Sequence, residues 1–313
     1  MSSNFSKIVA TGSYLPKKVI TNYDLEKLVD TSHEWIYERT GIIKRCIAED
    51  NESSVDMAYN ASIDVIERSG LDIKCIDMII VATTTPERVF PSSAVLLQNK
   101  LNIDNCFAFD VNAACTGFIY ALDIADKYIK NKSVSNVLVV GSEKMSSIVD
   151  WNDRNTCVLF GDGAGAVLVT ASNDPGIISS TIGSNGSYKD LLTVNPDSDF
   201  IEMKGNDVFK IAVTTMGKLA SETLKNNNLN IEEIDWLIPH QANSRIINAI
   251  AKKISLPAEK IIMTIDAHGN TSAASIPLAM DHAFVKGRLK KDNIVLLEAF
   301  GAGFTWGSTL LKF

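Results

Sequence analysis

The chain carries one pattern twice, and this duplication constrains its fold more than any other feature. Three segments of the first half recur in the same order in the second: Leu71–Ile80 as Leu229–Ile238, Ser135–Val140 as Asp292–Leu297, and Phe160–Gly165 as Phe300–Thr305. The first two recur at offsets of 158 (229 − 71) and 157 (292 − 135) residues. Chance similarity between apolar runs would explain one match but not three in order. The 313 residues therefore predict two similar halves of ordinary domain size, residues 1–172 and 173–313.

Both halves alternate short apolar strands with helical stretches. The predicted strands are 78–82, 106–111, 137–141 and 164–170 in the first half, and 236–238, 261–265, 294–297 and 305–312 in the second. The predicted helices are 94–101, 116–129, 244–254 and 275–285. Continuously apolar strands separated by helices are typical of an α/β fold, with mostly parallel sheets that are covered on both faces.

Composition argues against several classes of protein. The net charge of −7 disfavours nonspecific binding to nucleic acid. The five cysteines are scattered and form no C-x-x-C pair, which argues against a disulfide framework and against a structural zinc site. Neither a signal peptide nor an apolar run long enough to span a bilayer is evident. We therefore expect a cytoplasmic protein with no metal and no membrane or nucleic-acid partner.

Cys115 is the candidate nucleophile. It follows the predicted strand at 106–111 and precedes the helix at 116–129, with small residues on either side. A cysteine at the start of a helix lies among unpaired N–H groups at the positive end of the dipole, which favours the nucleophilic thiolate. The alternative interpretation is a buried core cysteine, because free cysteines are among the most buried residues.

The second half offers partners for this cysteine. Under the duplication, residues 110–117 correspond to residues 266–272, so that His268 and Asn270 stand where the first copy has its thiol. Ligands in such sheets bind beyond the carboxyl ends of the strands. We therefore expect Cys115, His240 and Asn270 to converge. On local grounds alone, His240 could fill an interface and Asn270 could serve as a turn residue.

Four segments give the resemblance to a known family: Asp110–Gly117, Pro239–Asn243, His268–Ser275 and Gly301–Gly307. Together they resemble β-ketoacyl-acyl carrier protein synthase III, the initiating condensing enzyme of bacterial fatty-acid synthesis. The resemblance runs from about Lys7 to Phe313, and Asn270 stands where the elongating condensing enzymes carry a second histidine. It implies a thiolase-like α/β fold, with two duplicated halves packed as a five-layered α-β-α-β-α sandwich.

The resemblance also implies a reaction, that of a cofactor-free, homodimeric, decarboxylating acyltransferase. A short acyl-CoA, with acetyl-CoA as the expected primer, would acylate Cys115. Malonyl-acyl carrier protein would then lose carbon dioxide and condense to a 3-ketoacyl product. His240 and Asn270 would donate hydrogen bonds to the enolate oxygen, and the N–H groups of Cys115 and Gly303 would form the oxyanion hole.

The substrate contacts follow from the same resemblance. The expected CoA contacts are Thr31, Trp35, Arg39, Arg154 and Asn243. The candidate surface for acyl carrier protein is Lys210, Arg245, Lys252 and Lys253. Phe90 would reach across a dimer to close the acyl pocket of the partner. Each of these groups has an alternative interpretation. The CoA contacts could be ordinary surface pairs, the basic residues could form a solvated helix face, and Phe90 could be a core aromatic residue.

Three other functions stay open. A condensing enzyme that selects starters for a secondary metabolite would differ in its range of acyl-CoA and acceptor, and a thioester hydrolase would release free acid. An inactive homologue is disfavoured by Cys115, His240 and Asn270. Asn112, Thr116 and a short surface loop at 195–199 depart from many relatives and leave the natural primer open.

Overall fold

The computed structural model describes residues 5–195 and 197–313, so Pro196 of the predicted loop at 195–199 lies outside the described residues. The strands are β1 Phe5–Tyr14, β2 Lys18–Thr21, β3 Lys44–Ile47, β4 Met78–Ala82, β5 Phe107–Val111, β6 Asn136–Glu143, β7 Gly163–Ser172, β8 Ile177–Ser184, β9 Leu192–Val194, β10 Ile201–Met203, β11 Trp236–Pro239, β12 Ile294–Gly301 and β13 Thr305–Lys312. The helices are α1 Asn22–Leu25, α2 His33–Thr40, α3 Ser54–Ser69, α4 Ser93–Lys100, α5 Gly117–Lys130, α6 Gly205–Asn226, α7 Ser244–Lys253, α8 Ile265–His268 and α9 Ser275–Val285.

Two sheets form the frame of the molecule. The first has the strand order β1-β7-β6-β4-β5, and the second has the order β11-β12-β13-β8. The predicted boundary at 172/173 falls between β7 and β8, which belong to different sheets; the division into domains stays a prediction.

Helices cover both faces of each sheet, which gives five layers. Helices α3 and α4 pack on the outer face of the first sheet, and α6 and α7 pack outside the second. Helices α5 and α9 lie between the sheets, in the largest apolar core. Helix α5 has the predicted period, because Ile119, Leu122, Ala125 and Ile129 are all buried. The α-β-α-β-α arrangement expected from the sequence is thereby confirmed.

The sheets are mixed, so the prediction of mostly parallel sheets is wrong. In the first sheet β4 is parallel to β5 and β6, whereas β7 is antiparallel to both β6 and β1. In the second, only the β11–β12 pair is parallel among the described strands. The apolar runs read the same in both cases because the strands are buried on both faces.

The predicted strand at 261–265 is also wrong. Ile261 makes an isolated bridge to Leu237, and α8 begins at Ile265. The buried side chain of Gln241 replaces a neighbouring strand: its amide donates to the Ile262 carbonyl at 3.2 Å and accepts from the Thr264 N–H at 2.8 Å. A side chain that satisfies the backbone in this way leaves no ladder to extend.

The offset of 158 residues holds through the segment that contains the nucleophile. Short 3₁₀ helices lie at Ala114–Thr116 and Ser272–Ala274, each directly before the central helix of its half. Each begins with a residue in the left-handed region, Ala114 at φ 47° and Ser272 at φ 48°. Asn112 therefore corresponds to Asn270, and Cys115 to Ala273. The alignment of residues 110–117 with residues 266–272, predicted from the sequence, is therefore wrong by a few residues.

Candidate active site

The nucleophile turn, residues 113–116, is held by the second half of the chain. The hydroxyl of Thr305, at the start of β13, lies within hydrogen-bond distance of the carbonyl of Ala113 and the hydroxyl of Thr116, both at 3.0 Å. Gly301 at the end of β12 packs against the turn so closely that a Cβ there would lie 2.9 Å from the backbone nitrogen of Cys115. Residues almost two hundred positions away thus set the place of the sulfur.

The surroundings of the Cys115 thiol act on it in both directions. Its pKa is raised to about 12, mainly by burial and to a smaller extent by nearby Glu143, while the Ser272 hydroxyl and the N–H of Cys115 itself act in the opposite direction. Burial thus acts against the thiolate, whereas the helix start that follows Cys115 acts in its favour, and the preference for the thiolate stays a prediction.

His240 is a neutral imidazole with one tautomer favoured by its neighbours. Burial lowers its pKa to about 3. Its Nδ1 lies 2.7 Å from the hydroxyl of Ser275, which already accepts the Gln241 N–H at 3.3 Å. The Ser275 hydroxyl is free to donate its own proton to Nδ1, and in that arrangement the imidazole proton lies on Nε2. His240 can consequently donate a hydrogen bond without carrying a charge.

Asn270 is oriented by the residue two positions later. Its Oδ1 accepts the N–H of Ser272 at 2.9 Å, which leaves the amide nitrogen free to donate. Its backbone is pinned as well, with Asn270 N–H bonded to the Leu159 carbonyl at 2.9 Å and its carbonyl accepting from Gly161 at 3.1 Å. The segment Phe160–Gly165, in which β7 begins, therefore supports the site.

One cavity of about 450 Å³ brings these groups together. Cys115 from the first half and His240 and Asn270 from the second all line it, together with Phe300 and Gly301. The predicted convergence of the three side chains on one cavity is thus what the fold produces. Such a site combines a sulfur nucleophile with two neutral hydrogen-bond donors.

Three of the five predicted CoA contacts line the cavity: Trp35, Arg39 and Asn243. The guanidinium groups of Arg39 and Arg154 each lie 4.5 Å from the centre of the Trp35 ring, and Arg154 is tied to the Asp30 carbonyl at 2.8 Å. The buried Thr31 hydroxyl has no hydrogen-bond partner among the described residues.

The four predicted basic residues are all exposed on α6 and α7, which pack together: Lys210, Arg245, Lys252 and Lys253. In the described part of the chain none of them pairs with a carboxylate. Arg245 also lines the cavity, so this basic surface continues into its mouth.

Several predicted residues do not line the cavity: Thr31, Phe90, Arg154, Lys210, Lys252, Lys253 and Gly303. Gly303 sits in the β12–β13 turn at φ 130°, and it is Gly301 that packs against Cys115. Phe90 is 82 % exposed, next to the still more exposed Val89, so its interpretation as a core aromatic is wrong.

Sequence reasoning missed three polar residues of the site. Ser272 and Ser275 orient Asn270 and His240, and the buried Glu143 at the end of β6 accepts a hydrogen bond from Ser272 at 3.0 Å. The signal for the serines was present, since both stand within five residues of Asn270 in a run of small residues. Nothing in the sequence near Glu143 indicated that it faces this run.

Across 5–195 and 197–313, no group of three His, Cys, Asp or Glu side chains could hold a metal ion. No helix in those ranges is both long and apolar enough to cross a membrane.

Comparisons with known proteins agree with this site. Two family models match the chain: "3-Oxoacyl-[acyl-carrier-protein (ACP)] synthase III" over residues 109–186 and its C-terminal counterpart over 224–313. A β-ketoacyl-[acyl-carrier-protein] synthase III from Vibrio cholerae is 54% identical over 315 residues, covering 99% of this chain and 100% of the relative.

Solved structures show the same fold. The crystal structure of 3-oxoacyl-[acyl-carrier-protein] synthase III from Aquifex aeolicus superposes with a TM-score of 0.96 at 49% identity, over 98% of this chain and 100% of that one. The priming β-ketosynthase of the R1128 polyketide pathway gives a TM-score of 0.95 at 34% identity, over 99% and 97%. The thiolase-like fold is confirmed, and the chain belongs to the β-ketoacyl-[acyl-carrier-protein] synthase III family of condensing acyltransferases.

Proposed function

We propose that this protein condenses a short acyl-CoA with malonyl-acyl carrier protein to a 3-ketoacyl-acyl carrier protein, the initiating step of fatty-acid synthesis. The observation that carries the proposal is the lining of one cavity by Cys115, His240 and Asn270 in a chain of this family. The acyl-CoA is a substrate, and the reaction needs no cofactor or metal.

The first half-reaction acylates the sulfur. Cys115 attacks the thioester carbonyl, the C–S bond to CoA breaks, and an acyl-Cys115 thioester results. The negative charge that develops on the carbonyl oxygen would be met by the N–H of Cys115 and by an N–H of the turn 301–303, which includes Gly303. The contact between Gly301 and the Cys115 backbone supports this arrangement.

The second half-reaction uses the two neutral donors. Loss of carbon dioxide from the malonyl thioester leaves an enolate whose charge lies on its oxygen. The Nε2–H of His240 and the amide of Asn270 would bind that oxygen, since both are held as donors by Ser275 and Ser272. The enolate carbon then attacks the acyl-Cys115 carbonyl and expels the sulfur.

The entrance has the chemistry that both substrates need. Trp35 with Arg39 and Arg154 forms a flat cationic stack suited to an adenine ring, and Thr31 and Asn243 offer polar contacts to the rest of CoA. The basic surface of Lys210, Arg245, Lys252 and Lys253 suits an acidic carrier protein.

A homodimer would complete the site. Strand β5 is an unpaired edge of the first sheet, and Phe107 on this strand is 44 % exposed. The exposed Phe90 lies in the loop that follows β4. An unpaired apolar edge favours pairing with a second copy. Phe90 of one copy would then narrow the acyl pocket of the other and favour short primers. A cytoplasmic location fits these substrates.

A second candidate is a starter-condensing enzyme of a secondary-metabolite pathway. The similarity to the R1128 priming β-ketosynthase favours it, although the identity of 34% is lower than the 54% to the Vibrio cholerae relative. The two candidates differ in the acyl-CoA and the carrier protein that they accept. A thioester hydrolase would instead release free acid.

The test is intact-protein mass spectrometry after incubation with a panel of acyl-CoAs, followed by addition of malonyl-acyl carrier protein. We expect one acyl group on Cys115, strongest with acetyl-CoA, and its transfer into a 3-ketoacyl product. Preferential loading of longer or branched primers would favour the second candidate, and release of free acid would favour hydrolysis.

Cys115→Ser should abolish loading with little change in unfolding temperature. Cys157→Ser is the matched control, because Cys157 is equally buried but does not line the cavity. A stable acyl adduct on a cysteine other than Cys115 would refute the assignment.

A further inference from the structure

Glu143 is a buried carboxylate at the end of β6 that joins the two halves of the chain next to the site. Three hydroxyl and two N–H groups of the consecutive threonines 83–85, which follow β4 in the first half, donate to it at 2.7–3.2 Å. The hydroxyl of Ser272, in the second half, donates to it at 3.0 Å. The reaction proposed above gives this carboxylate no task.

The two oxygens of Glu143 face different partners. The N–H groups of Thr84 and Thr85 can only donate, and both bind Oε2, at 3.0 and 3.2 Å. The hydroxyls of Thr83 and Thr85 bind the same oxygen. Oε1 accepts from the hydroxyls of Ser272 at 3.0 Å and of Thr84 at 3.2 Å. The carboxylate is therefore anchored to the first half through Oε2 and presents Oε1 to the second half.

Ser272 links this carboxylate to the donor Asn270. Its hydroxyl binds Glu143, and its N–H donates to Oδ1 of Asn270 at 2.9 Å. The next residue, Ala273, packs against the same strand, because a Cβ on Gly141 of β6 would overlap the Ala273 carbonyl oxygen. Strand β6 thus holds the turn 272–274 at two points, by close packing at Gly141 and by a hydrogen bond at Glu143.

The duplicated turn in the first half has no such hydroxyl. Ala114 corresponds to Ser272 and shares its left-handed backbone, at φ 47° against 48°. In the first half the Ala114 N–H lies 3.4 Å from Oδ1 of Asn112, whereas the Ser272 N–H lies 2.9 Å from Oδ1 of Asn270. A hydrogen bond of 2.9 Å is near the optimum, and one of 3.4 Å is weak. The turn that is bound to a carboxylate therefore holds its asparagine more firmly, and of the two asparagines it is Asn270 that lines the cavity.

We propose that Glu143 is a positioning residue for malonyl decarboxylation, which fixes through the Ser272 hydroxyl the turn that aims the Asn270 amide at the enolate oxygen. This role deepens the function proposed above and rests on it. Glu143 does not line the cavity, so it acts through Ser272 and Asn270 and not on the substrate. A donor is effective when it is already aimed at the developing charge, and a misplacement of about 1 Å can cost about 10²-fold in rate.

The experiment measures the two reactions of the full-length protein separately. One assay follows single-turnover acylation of Cys115 by acetyl-CoA, and the other follows release of labelled carbon dioxide from malonyl-acyl carrier protein. Glu143→Ala should lower kcat for decarboxylation by about 10–100-fold with little change in KM, because an enolate donor acts in the transition state. Acylation should fall less, by a factor of about ten, because the amide of Asn270 has no part in that step.

A double-variant cycle identifies the route by which Glu143 acts. In the Asn270→Ala background, Glu143→Ala should slow decarboxylation by no more than about twofold further, since no amide is left to position. Ser272→Ala gives the second turn the residue that the first turn has at Ala114. It should slow decarboxylation as much as Glu143→Ala does, and the pair together should lose no more than either alone.

Two further variants separate positioning from charge and from stability. Glu143→Gln can give its amide oxygen to the threonine N–H groups and its NH₂ group to the Ser272 hydroxyl, so it should recover most of the rate that Glu143→Ala loses. Asp281→Asn alters a buried carboxylate away from the cavity, which joins β1 to α9 by accepting from the hydroxyls of Thr11 and Ser13 at 2.7 and 2.6 Å. It should lower the unfolding temperature without changing the ratio of the decarboxylation rate to the acylation rate.

Equal losses of acylation and decarboxylation in Glu143→Ala would overturn the proposal, as would a full further loss in the Asn270→Ala background. If Glu143→Ala does not fold, Ser272→Ala makes the same test, and decarboxylation by Ser272→Ala at the rate of the unmodified protein would also overturn it. An unmodified protein that is acylated by acetyl-CoA but does not decarboxylate malonyl-acyl carrier protein would contradict the proposed function itself. The two failures can therefore be told apart.

Discussion

At the scale of single residues, each donor of the site is oriented by a serine in the same short segment. Ser275 sets the proton of His240, and the Ser272 N–H sets the amide of Asn270. Neither donor has to reorganise when charge develops, and preorganised donors of this kind supply much of the rate in acyl transfer. The serines therefore determine what the histidine and asparagine can do.

The two corresponding asparagines allow a matched test. Asn270→Ala should lower the rate of malonyl decarboxylation by about 10²–10³-fold, equivalent to about 2.7–4 kcal/mol for one lost donor. Asn112 makes the corresponding turn in the first half, with its Oδ1 accepting the Ala114 N–H at 3.4 Å, but it is exposed and does not line the cavity.

Asn112→Ala should therefore leave decarboxylation unchanged. Acylation of Cys115 should survive in both variants, as measured by intact mass. Equal losses of acylation and decarboxylation in Asn270→Ala would argue against its role as an enolate donor.

At the scale of elements, the ends of β12 and β13 hold the nucleophile turn by close packing. Gly301 admits the Cys115 backbone where no side chain would fit, and Thr305 fixes the turn from the neighbouring strand. A methyl group at residue 301 must displace either β12 or the nucleophile.

Gly301→Ala should accordingly slow acylation by about tenfold or more and destabilise the fold by about 1–3 kcal/mol, the usual cost of overpacking. Urea unfolding and single-turnover loading measure the two effects. Gly186→Ala is the control, because a Cβ there would meet no atom within 4 Å. Normal loading by Gly301→Ala would mean that the close contact does not set the position of the sulfur.

Sequence reasoning identified the elements that are determined by residues close to them in the chain. Helix α5 follows from the spacing of its apolar residues, and the placement of Cys115 before it follows from the small residues around it. The direction of the strands was not accessible, because a buried strand reads alike in parallel and antiparallel pairs. The burial of Cys115 and the contact of Glu143 with Ser272 depend on distant segments of the chain, which a local pattern does not reveal.

At the scale of the whole molecule, the first sheet has two different edges. The edge strand β1 carries an irregularity in its pairing between Ile8 and Ala10, where Val9 is 48 % exposed. The edge strand β5 is regular, and Phe107 on it is 44 % exposed. A bulged edge resists pairing with another chain, whereas a regular apolar edge invites it.

Phe107→Asp should therefore convert the expected dimer to a monomer in sedimentation velocity, while Val9→Asp on the bulged edge should not. The monomer should also load longer acyl-CoAs, because Phe90 of a second copy would no longer close the pocket. A dimer that persists in Phe107→Asp would show that β5 is not the pairing edge.

Arg245 belongs both to the basic surface on α7 and to the wall of the cavity that holds Cys115. CoA and the carrier protein would therefore compete for the same residue and could not occupy it together. A CoA molecule that remains bound at Arg245 would block the carrier protein, so we expect free CoA to slow the condensation.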